Sequence, residues 1–259
     1  MNEIKTIVIR NLKEQFKSPI FWAILVLFPL AMLFMFNEMF VNDSTHVANS
    51  AIKITILNVT DNHYAFSKLA IVVLAQFFLI SSVVASGSLI QVKTNKTLMR
   101  IFTYPITKSK ILIAHFLSVI IELTVVMSLV MILISVIFKV VWSINYFGLV
   151  ITSLLCIILC SSFGLFLSLL FKNGNIASGI MSGVVILMSF LNGDMTSGKL
   201  PFKNSDFFTL NKWITSAFNK LYISNNFSNL YKDILVILCL GLGFTILSIV
   251  LFSKENSYE

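Results

Sequence analysis

One segment of the sequence has the residue spacing of a phosphate-binding loop. Residues 193–200, GDMTSGKL, fit the pattern G-x-x-x-x-G-K, in which a glycine-rich backbone and a lysine hold nucleotide phosphates. A working loop of this kind follows a strand, opens a helix and continues with a serine or threonine that binds Mg²⁺. Here Leu200 and Pro201 follow the lysine, and a long apolar run precedes the segment. The segment therefore does not predict nucleotide binding.

The other residue types that carry out catalysis or bind metals are scattered. None of His46, His63 and His115 stands in the H-E-x-x-H pattern of zinc proteases. Cys156 and Cys160 have a spacing that could hold a metal, but both lie in an apolar run, where cysteine packs as a small apolar side chain. We therefore expect no catalytic, cofactor-binding or metal-ligating residue, and we do not expect this chain to be an enzyme.

Glu122 is an acidic residue deep in an apolar run. Placing a carboxylate in the middle of a bilayer costs about 3 kcal/mol on insertion scales, so its side chain should face protein or water. It would then be either a proton or cation site, or a partner in a hydrogen bond to a hydroxyl of a neighbouring helix. A proton-driven carrier usually needs several such groups. We therefore expect Glu122 to be structural.

The composition defines the elements that must position these residues. Of the 259 residues, 57% are apolar and only 12% are charged, and Phe occurs 24 times. Soluble domains have about half and about a quarter, respectively. The chain is therefore predicted to be an all-α integral membrane protein, with room for about six helical spans of roughly 20 residues each.

Six apolar runs predict the spans within a single transmembrane domain, residues 1–259. They cover about 20–40, 68–91, 111–138, 146–171, 176–193 and 233–252. Pro29 predicts a kink in the first of them. The polar residues between the first two spans include a strand-like piece, IKITILNV, at 52–59.

Two further segments predict amphipathic helices. Residues 1–18 place apolar side chains at helical spacing among four cations, which is typical of a helix lying in the headgroup plane. Pro19 should end this helix and begin the next. Residues 206–223 show the same periodicity with many aromatic residues, and predict an interfacial helix on the outer side, just before the last span.

The positive charge is concentrated beside the spans. The formal net charge is +8, and residues 1–19 and 92–110 together hold nine of the 19 Lys and Arg residues. Cytoplasmic loops of membrane proteins are rich in Lys and Arg, so both termini and residues 92–110 are predicted to be cytoplasmic. This distribution favours a membrane surface over nucleic acid as the partner of the cations.

The cationic segment between the second and third spans carries a family resemblance. Leu98, Ile101 and Phe102 would form one apolar face of a short helix. The stretch KTLMRIFTYPITKSKILIAHFL, from Lys96 to Leu117, resembles the loop of type-2 ABC exporter permeases, in which a basic and apolar helix precedes a proline turn and a basic start of the third span. The matching residues are Thr97, Arg100, Pro105, Thr107 and Lys108. The acidic residue and the glycine of the family loop are absent.

The order of elements is similar to this family along the whole chain: an amphipathic helix, six spans, a long loop before the last span and a short tail. The resemblance implies a permease that pairs with a second permease copy or a homologue and binds two separate ABC ATPase subunits, which hold ATP and Mg²⁺. Its coupling helix would comprise Lys93, Lys96, Thr97, Leu98, Arg100, Ile101, Phe102 and Pro105. The first and fifth spans would form the permease–permease contact, where Gly179 and Gly183 make a G-x-x-x-G motif suited to close helix approach.

The expected function is export of an amphipathic substrate, such as a peptide, an antibiotic or a drug-like molecule, across a bacterial cytoplasmic membrane. The apolar, Phe-rich and Met-rich spans suit such a cargo because these side chains adapt to varied partners. The alternatives are an exporter of a glycolipid, a polysaccharide or sodium in the same family, a secondary transporter that needs no ATPase, or an immunity protein that binds a toxin without transport.

Overall fold

The computed structural model describes residues 2–47, 59–94, 108–140, 142–143, 145–171, 174–192, 209–223 and 230–254. The regular structure of these segments is helical, as expected in a bilayer, where a helix satisfies its own backbone hydrogen bonds. Of the strand-like piece at 52–59, only Val59 is described, and it begins a helix. The predicted all-helical class therefore holds for the described residues.

Two prolines shape the beginning of the chain. Helix α1 (Asn2–Phe16) ends just before Pro19, which begins the short helix α2 (Pro19–Trp22) as predicted. A π-helical turn, Ala23–Leu27, then leads into helix α3 (Phe28–Val47). The N–H of Phe28 donates to the carbonyl oxygen of Ala23, five residues back. Because proline lacks an N–H and its ring clashes with the preceding turn, this widened turn is the distortion expected beside Pro29.

The later helices follow the predicted spans closely. They are α4 (Val59–Thr94), α5 (Lys108–Phe138), α6 (Tyr146–Leu170), α7 (Gly174–Asn192), α8 (Leu210–Ile223) and α9 (Tyr231–Lys254). Helices α3 and α4 extend into sequence that was predicted to be polar loop. That sequence has no Pro or Gly at 41–47 or 59–67 to end a helix.

Four helices in the described part of the chain are long and apolar enough to cross a membrane. These candidate spans are Phe66–Val83, Ser109–Phe138, Tyr146–Leu170 and Tyr231–Ser253. The predicted first and fifth spans correspond to shorter apolar helices, Ala23–Glu38 and Gly179–Asn192. The chain is a multi-pass integral membrane protein.

Helix α4 lies at the centre of the bundle and α9 at its edge. Of the candidate span in α4, 72% is buried inside the protein, against 17% of the span in α9. Phe77 and Phe78 of α4 are among the largest fully buried side chains, whereas Leu238, Leu242 and Ile246 of α9 are exposed. The last span therefore presents a broad apolar face to the lipid.

A glycine allows α4 and α6 to approach closely. A Cβ atom added at Gly164 of α6 would lie 2.5 Å from the backbone oxygen of Ser82 in α4. Ser81 and Ser82 are both fully buried and donate their hydroxyl protons to carbonyl oxygens one turn back in α4. Small residues let two helices approach closely in a membrane, and Gly164 with Ser82 forms such a contact here.

The first prediction concerns this contact. We expect Gly164→Ala to lower the stability of the protein by about 1–3 kcal/mol, because backbone has to move to admit the new Cβ atom. The measurement is the thermal unfolding midpoint of the purified chain in detergent. Gly243→Ala in α9 is the matched control, since a Cβ atom there meets nothing within 4 Å in the described part of the chain. Equal midpoints for the two variants would show that α4 and α6 are not in tight contact at Gly164.

Candidate functional site

Polar side chains join the amino-terminal helix α1 to the beginning of α5. The side-chain amide nitrogen of Asn11 lies 3.0 Å from Nδ1 of His115 and 3.4 Å from Oγ of Ser118. All three residues are buried, and Ile7 and Val8 pack with Ala114 beside them. Helix α1 and the beginning of the third predicted span therefore lie at the same end of the bundle.

The cationic segment precedes, in the chain, the end of α5 that contacts α1. Helix α4 ends at Thr94 and α5 begins at Lys108, so residues 95–107 join these two helices. The predicted coupling residues from Lys96 to Pro105 lie outside the described residues. For Lys93 the structure gives the helical backbone only.

An aromatic cluster fixes the corner between α1 and α2. Nε1 of Trp22 donates to the carbonyl oxygen of Phe16 over 3.0 Å, and the two rings stack with centroids 5.6 Å apart. The Phe21 ring packs edge-on against both. The predicted amphipathic helix is thus tied to the first apolar helix by packing as well as by the chain.

The opposite end of the bundle is held by a buried ion pair. Nζ of Lys220 in α8 lies 2.8 Å from Oδ2 of Asp233 in α9, and the hydroxyl of Ser216 donates to the same oxygen over 2.9 Å. The side chain of Asp233 is only 3% exposed. Lys220 lies in the last turn of α8, and Asp233 lies in the first turn of α9. Because the helix dipole is negative at the carboxyl end and positive at the amino end, it stabilises both charges further.

Helix α8 itself is embedded among the other helices. Ile214, Ala217 and Phe218 are fully buried, and the Phe218 ring stacks on Phe78 of α4 with centroids 6.0 Å apart. The hydroxyl of Ser143, in the link between α5 and α6, donates to the carbonyl oxygen of Leu221. The sequence predicted an interfacial helix, whereas much of the surface of α8 contacts protein.

The G-x-x-x-G motif faces away from the other described helices. A Cβ atom added at Gly179 or at Gly183 would meet nothing within 4 Å among the residues that the structure describes. Met181 and Val185 of the same helix are buried, whereas Ile180 and Leu187 are 42% and 62% exposed. Helix α7 therefore buries one face within the chain and leaves its glycine face open.

Glu122 lies inside the bundle with 2% of its surface exposed. Its Oε1 atom is buried and makes no hydrogen bond to the described residues. The hydrogen bond that the sequence suggested is therefore not formed by this oxygen. By helix rise, Glu122 lies about 21 Å from the beginning of α5, which is near the middle of the bilayer.

The other residues that the sequence offered as candidates for binding a metal or phosphate do not come together in the described part of the chain. Cys156 and Cys160 are free and buried in α6. Within the segments that the structure describes, no group of three or more His, Cys, Asp and Glu side chains stands close enough to hold a metal. Residues 193–200 lie outside the described residues.

Sequence reasoning missed the pairing of Asn11 with His115. A signal was available, because Asn11 stands in the middle of the apolar face of α1, between Ile7, Val8 and Leu12. His115 and Ser118 likewise share one face of α5, three residues apart. Periodicity marks such residues as buried, but it does not show that two of them 104 positions apart will meet.

A family comparison identifies the class of protein. The ABC-2 type transporter family matches residues 2–202, which is most of the chain. The chain therefore belongs to the ABC-2 type transporter family. Its members' membrane domain is the non-catalytic transmembrane subunit of an ABC transporter, so no cofactor site is expected on this chain. No curated protein matches the chain.

The second prediction tests the structural role of Glu122. Glu122→Gln keeps the shape of the side chain and removes no hydrogen bond made by Oε1, so we expect normal assembly and at most a several-fold loss of transport. Transport is measured with membrane vesicles that contain the chain and ABC ATPase subunits, with which permeases of this family generally pair. Glu122→Asp is the control, because it keeps the carboxyl group but shortens the side chain. Transport that is lost in the Gln variant and kept in the Asp variant would show that Glu122 binds a cation or a proton.

Proposed function

We propose that this chain is the permease subunit of an ATP-driven exporter that moves an amphipathic substrate out of a bacterial cell. Permeases of this family generally pair with ABC ATPase subunits, and we infer that two of these bind here and supply the hydrolysis of ATP with Mg²⁺. The observation that carries the proposal is the docking of α1 on α5. It brings α1 to the beginning of α5, which the cationic segment directly precedes in the chain.

Six crossings fit the lengths of the helices. Helix α7 has 19 residues and would be about 28 Å long, close to the thickness of the hydrocarbon core. The apolar helix Ala23–Glu38 comprises the π-helical turn and the first part of α3, and α3 runs on to Val47. We infer that both cross the bilayer with the four longer spans, so that the two termini share one side.

That side is the cytoplasm in this proposal. The cations of residues 1–19 and 92–110 flank α1 and the link from α4 to α5, and these meet at one end of the bundle. Cytoplasmic loops near spans are enriched in Lys and Arg. Helix α8, with its ion pair to α9, would then face the outside.

The cationic segment is proposed to be the coupling helix. A helix from Lys93 to Pro105 would present Leu98, Ile101 and Phe102 on one face. Exposure of this apolar face to water would be unfavourable. Burial of each in a groove of an ATPase would contribute about 1.5–3 kcal/mol. The four cations from Lys93 to Lys108 would orient the helix on an acidic partner surface.

The glycine face of α7 is proposed to contact a second permease. The space beside Gly179 and Gly183 is open, because a Cβ atom at either position would have no other described residue within 4 Å. Small residues at this spacing let two helices approach closely in lipid, where packing drives association. Contact through α7, together with the first span, would leave α9 facing lipid, as its exposed apolar side chains require.

The geometry suggests how hydrolysis is coupled to movement. Closure of the two ATPase subunits around nucleotide would push the cationic segment. The segment leads directly into α5, and α5 carries α1 through Asn11 and His115. The push would therefore turn α5 and α1 together. At the other end, Lys220 and Asp233 would hold α8 and α9 as one unit. Nucleotide drives the change only by binding one state more tightly than the other.

The third prediction separates a coupling helix from an ordinary basic loop. The double change Leu98→Ser and Phe102→Ser leaves every charge in place, so membrane insertion should be normal. We expect it to release the ATPase subunits or to uncouple their hydrolysis from export, because the apolar face is lost. Co-purification of the ATPase with the tagged permease gives the first measurement, and ATP hydrolysis per molecule exported gives the second.

The control is Asn95→Ser with Thr103→Ser, two changes in the same segment that keep its apolar face and its charges. We expect these changes to leave binding and export as in the unaltered chain. If the Leu98 and Phe102 variant also binds its ATPase and exports at the normal rate, the segment is only a topogenic loop.

A further inference from the structure

The junction of α1 and α5 leaves a buried hydrogen-bond donor on His115. The amide nitrogen of Asn11 can only donate, so Nδ1 of His115, 3.0 Å away, is the acceptor. The proton of the neutral imidazole is therefore on Nε2. That atom is buried and has no hydrogen-bond partner among the described residues. A buried N–H without an acceptor is unfavourable, so binding of a hydrogen-bond acceptor at Nε2 would be favourable.

Arg10 supplies a second donor beside the first. Its Nε atom is buried and also lacks a hydrogen-bond partner within the described segments. The nearest carboxylate oxygen, on Glu14, is 4.0 Å away, which is too long for a hydrogen bond. Arg10 directly precedes Asn11, whose side chain contacts His115, so Arg10 and His115 belong to the same junction of α1 and α5. Both groups donate, and neither is able to satisfy the other.

The depth of the junction indicates which acceptor the surroundings provide. The candidate span in α5, Ser109–Phe138, has 30 residues. At the helical rise it is about 45 Å long, which matches a bilayer including both headgroup layers. Its first five or so residues would cross the headgroup layer, which places His115 at the boundary between headgroups and hydrocarbon. Lipid phosphates lie next to this boundary.

We propose that Arg10 and His115 form a binding site for the phosphate of an anionic lipid at the junction of α1 and α5. One phosphate oxygen would accept from Nε2 of His115, and the guanidinium of Arg10 would hold the same phosphate through charge-assisted hydrogen bonds. The Arg10 side chain is 41% exposed. It would form the outer wall of the site, and this wall would move aside to admit the headgroup. Asn11 is the positioning residue, because it sets the tautomer of His115.

The bound lipid would link the interfacial helix to the third span. Asn11 makes polar contacts between them with His115 and Ser118, and a phosphate held by Arg10 and His115 would add a further one. The stability of the junction would then depend on anionic lipid, whatever the cargo of the permease. The proposal rests on membership of a membrane-transporter family and not on the proposed export, and its test needs neither ATPase nor cargo.

The test uses the full chain, purified and reconstituted into phosphatidylcholine nanodiscs with an increasing fraction of phosphatidylglycerol. We expect the thermal unfolding midpoint to rise by about 2–4 °C and to saturate at a low fraction of the anionic lipid. Arg10→Gln and His115→Asn should lose most of this rise. The asparagine keeps an acceptor for Asn11 but removes the Nε2 donor. Arg10→Lys should keep part of the rise, because lysine keeps the positive charge but lacks the planar guanidinium that can donate two parallel hydrogen bonds to a phosphate.

Lys13→Gln is the matched control, since it removes one charge from an exposed position of the same helix. We expect it to keep the full rise. A loss as large as that of Arg10→Gln would overturn the proposal in favour of diffuse attraction to a charged surface. Should His115→Asn fail to fold, Arg10→Gln carries the test, because Arg10 makes no hydrogen bond through Nε in the described structure.

A second arm distinguishes a lipid from a free anion. Inorganic phosphate is added to the same variants in a neutral detergent. No rise in the midpoint with phosphate, together with the rise in phosphatidylglycerol, supports the lipid site. An equal rise with inorganic phosphate would overturn the lipid assignment, and no rise with either would overturn the site.

Discussion

A bilayer offers no hydrogen bonds in its hydrocarbon core, and the structure follows from this constraint. Each crossing segment has to satisfy its own backbone, so it becomes a helix, and a buried polar side chain is stabilised when it finds a hydrogen-bond partner. Serine hydroxyls in α4 and α6 do so by donating to carbonyl oxygens within their own helices. The middle of the bundle is left to van der Waals packing, which explains the close approach at Gly164.

Polar ties between helices are found instead near the two ends of the bundle. Asn11, His115 and Ser118 join α1 to α5 at one end, and Lys220, Asp233 and Ser216 join α8 to α9 at the other. An apolar middle with polar ends would suit the change of shape that the proposed coupling to ATP hydrolysis requires. Packed apolar faces are able to slide, whereas hydrogen-bonded and ion-paired ends stay together and carry the elements attached to them.

The sequence predicted where the helices lie in the chain better than it predicted which helices contact each other. Apolar runs predicted the candidate spans, and the spacing of Ile4, Ile7, Val8 and Leu12 predicted α1, because both features depend on residues close together in the chain. Periodicity also marked α8, but it gave no reason to expect that Ile214 and Phe218 would be enclosed by other helices. The pairing of Asn11 with His115 was likewise hidden, since it depends on how two distant helices meet. The coupling role that the sequence suggests for the cationic segment stays a prediction, because residues 95–107 are outside the described structure.

Membership of the ABC-2 type transporter family shows the class of protein, and the docking of α1 on the beginning of α5 is the observation that supports the proposed ATPase-binding end. The most direct measurement is the mass and composition of the tagged chain extracted from the membranes of its host in mild detergent, determined by native mass spectrometry. The account predicts a complex of two permease chains, identical or homologous, with two ABC ATPase subunits. A folded chain that is recovered alone, from membranes in which it is active in export, would contradict it.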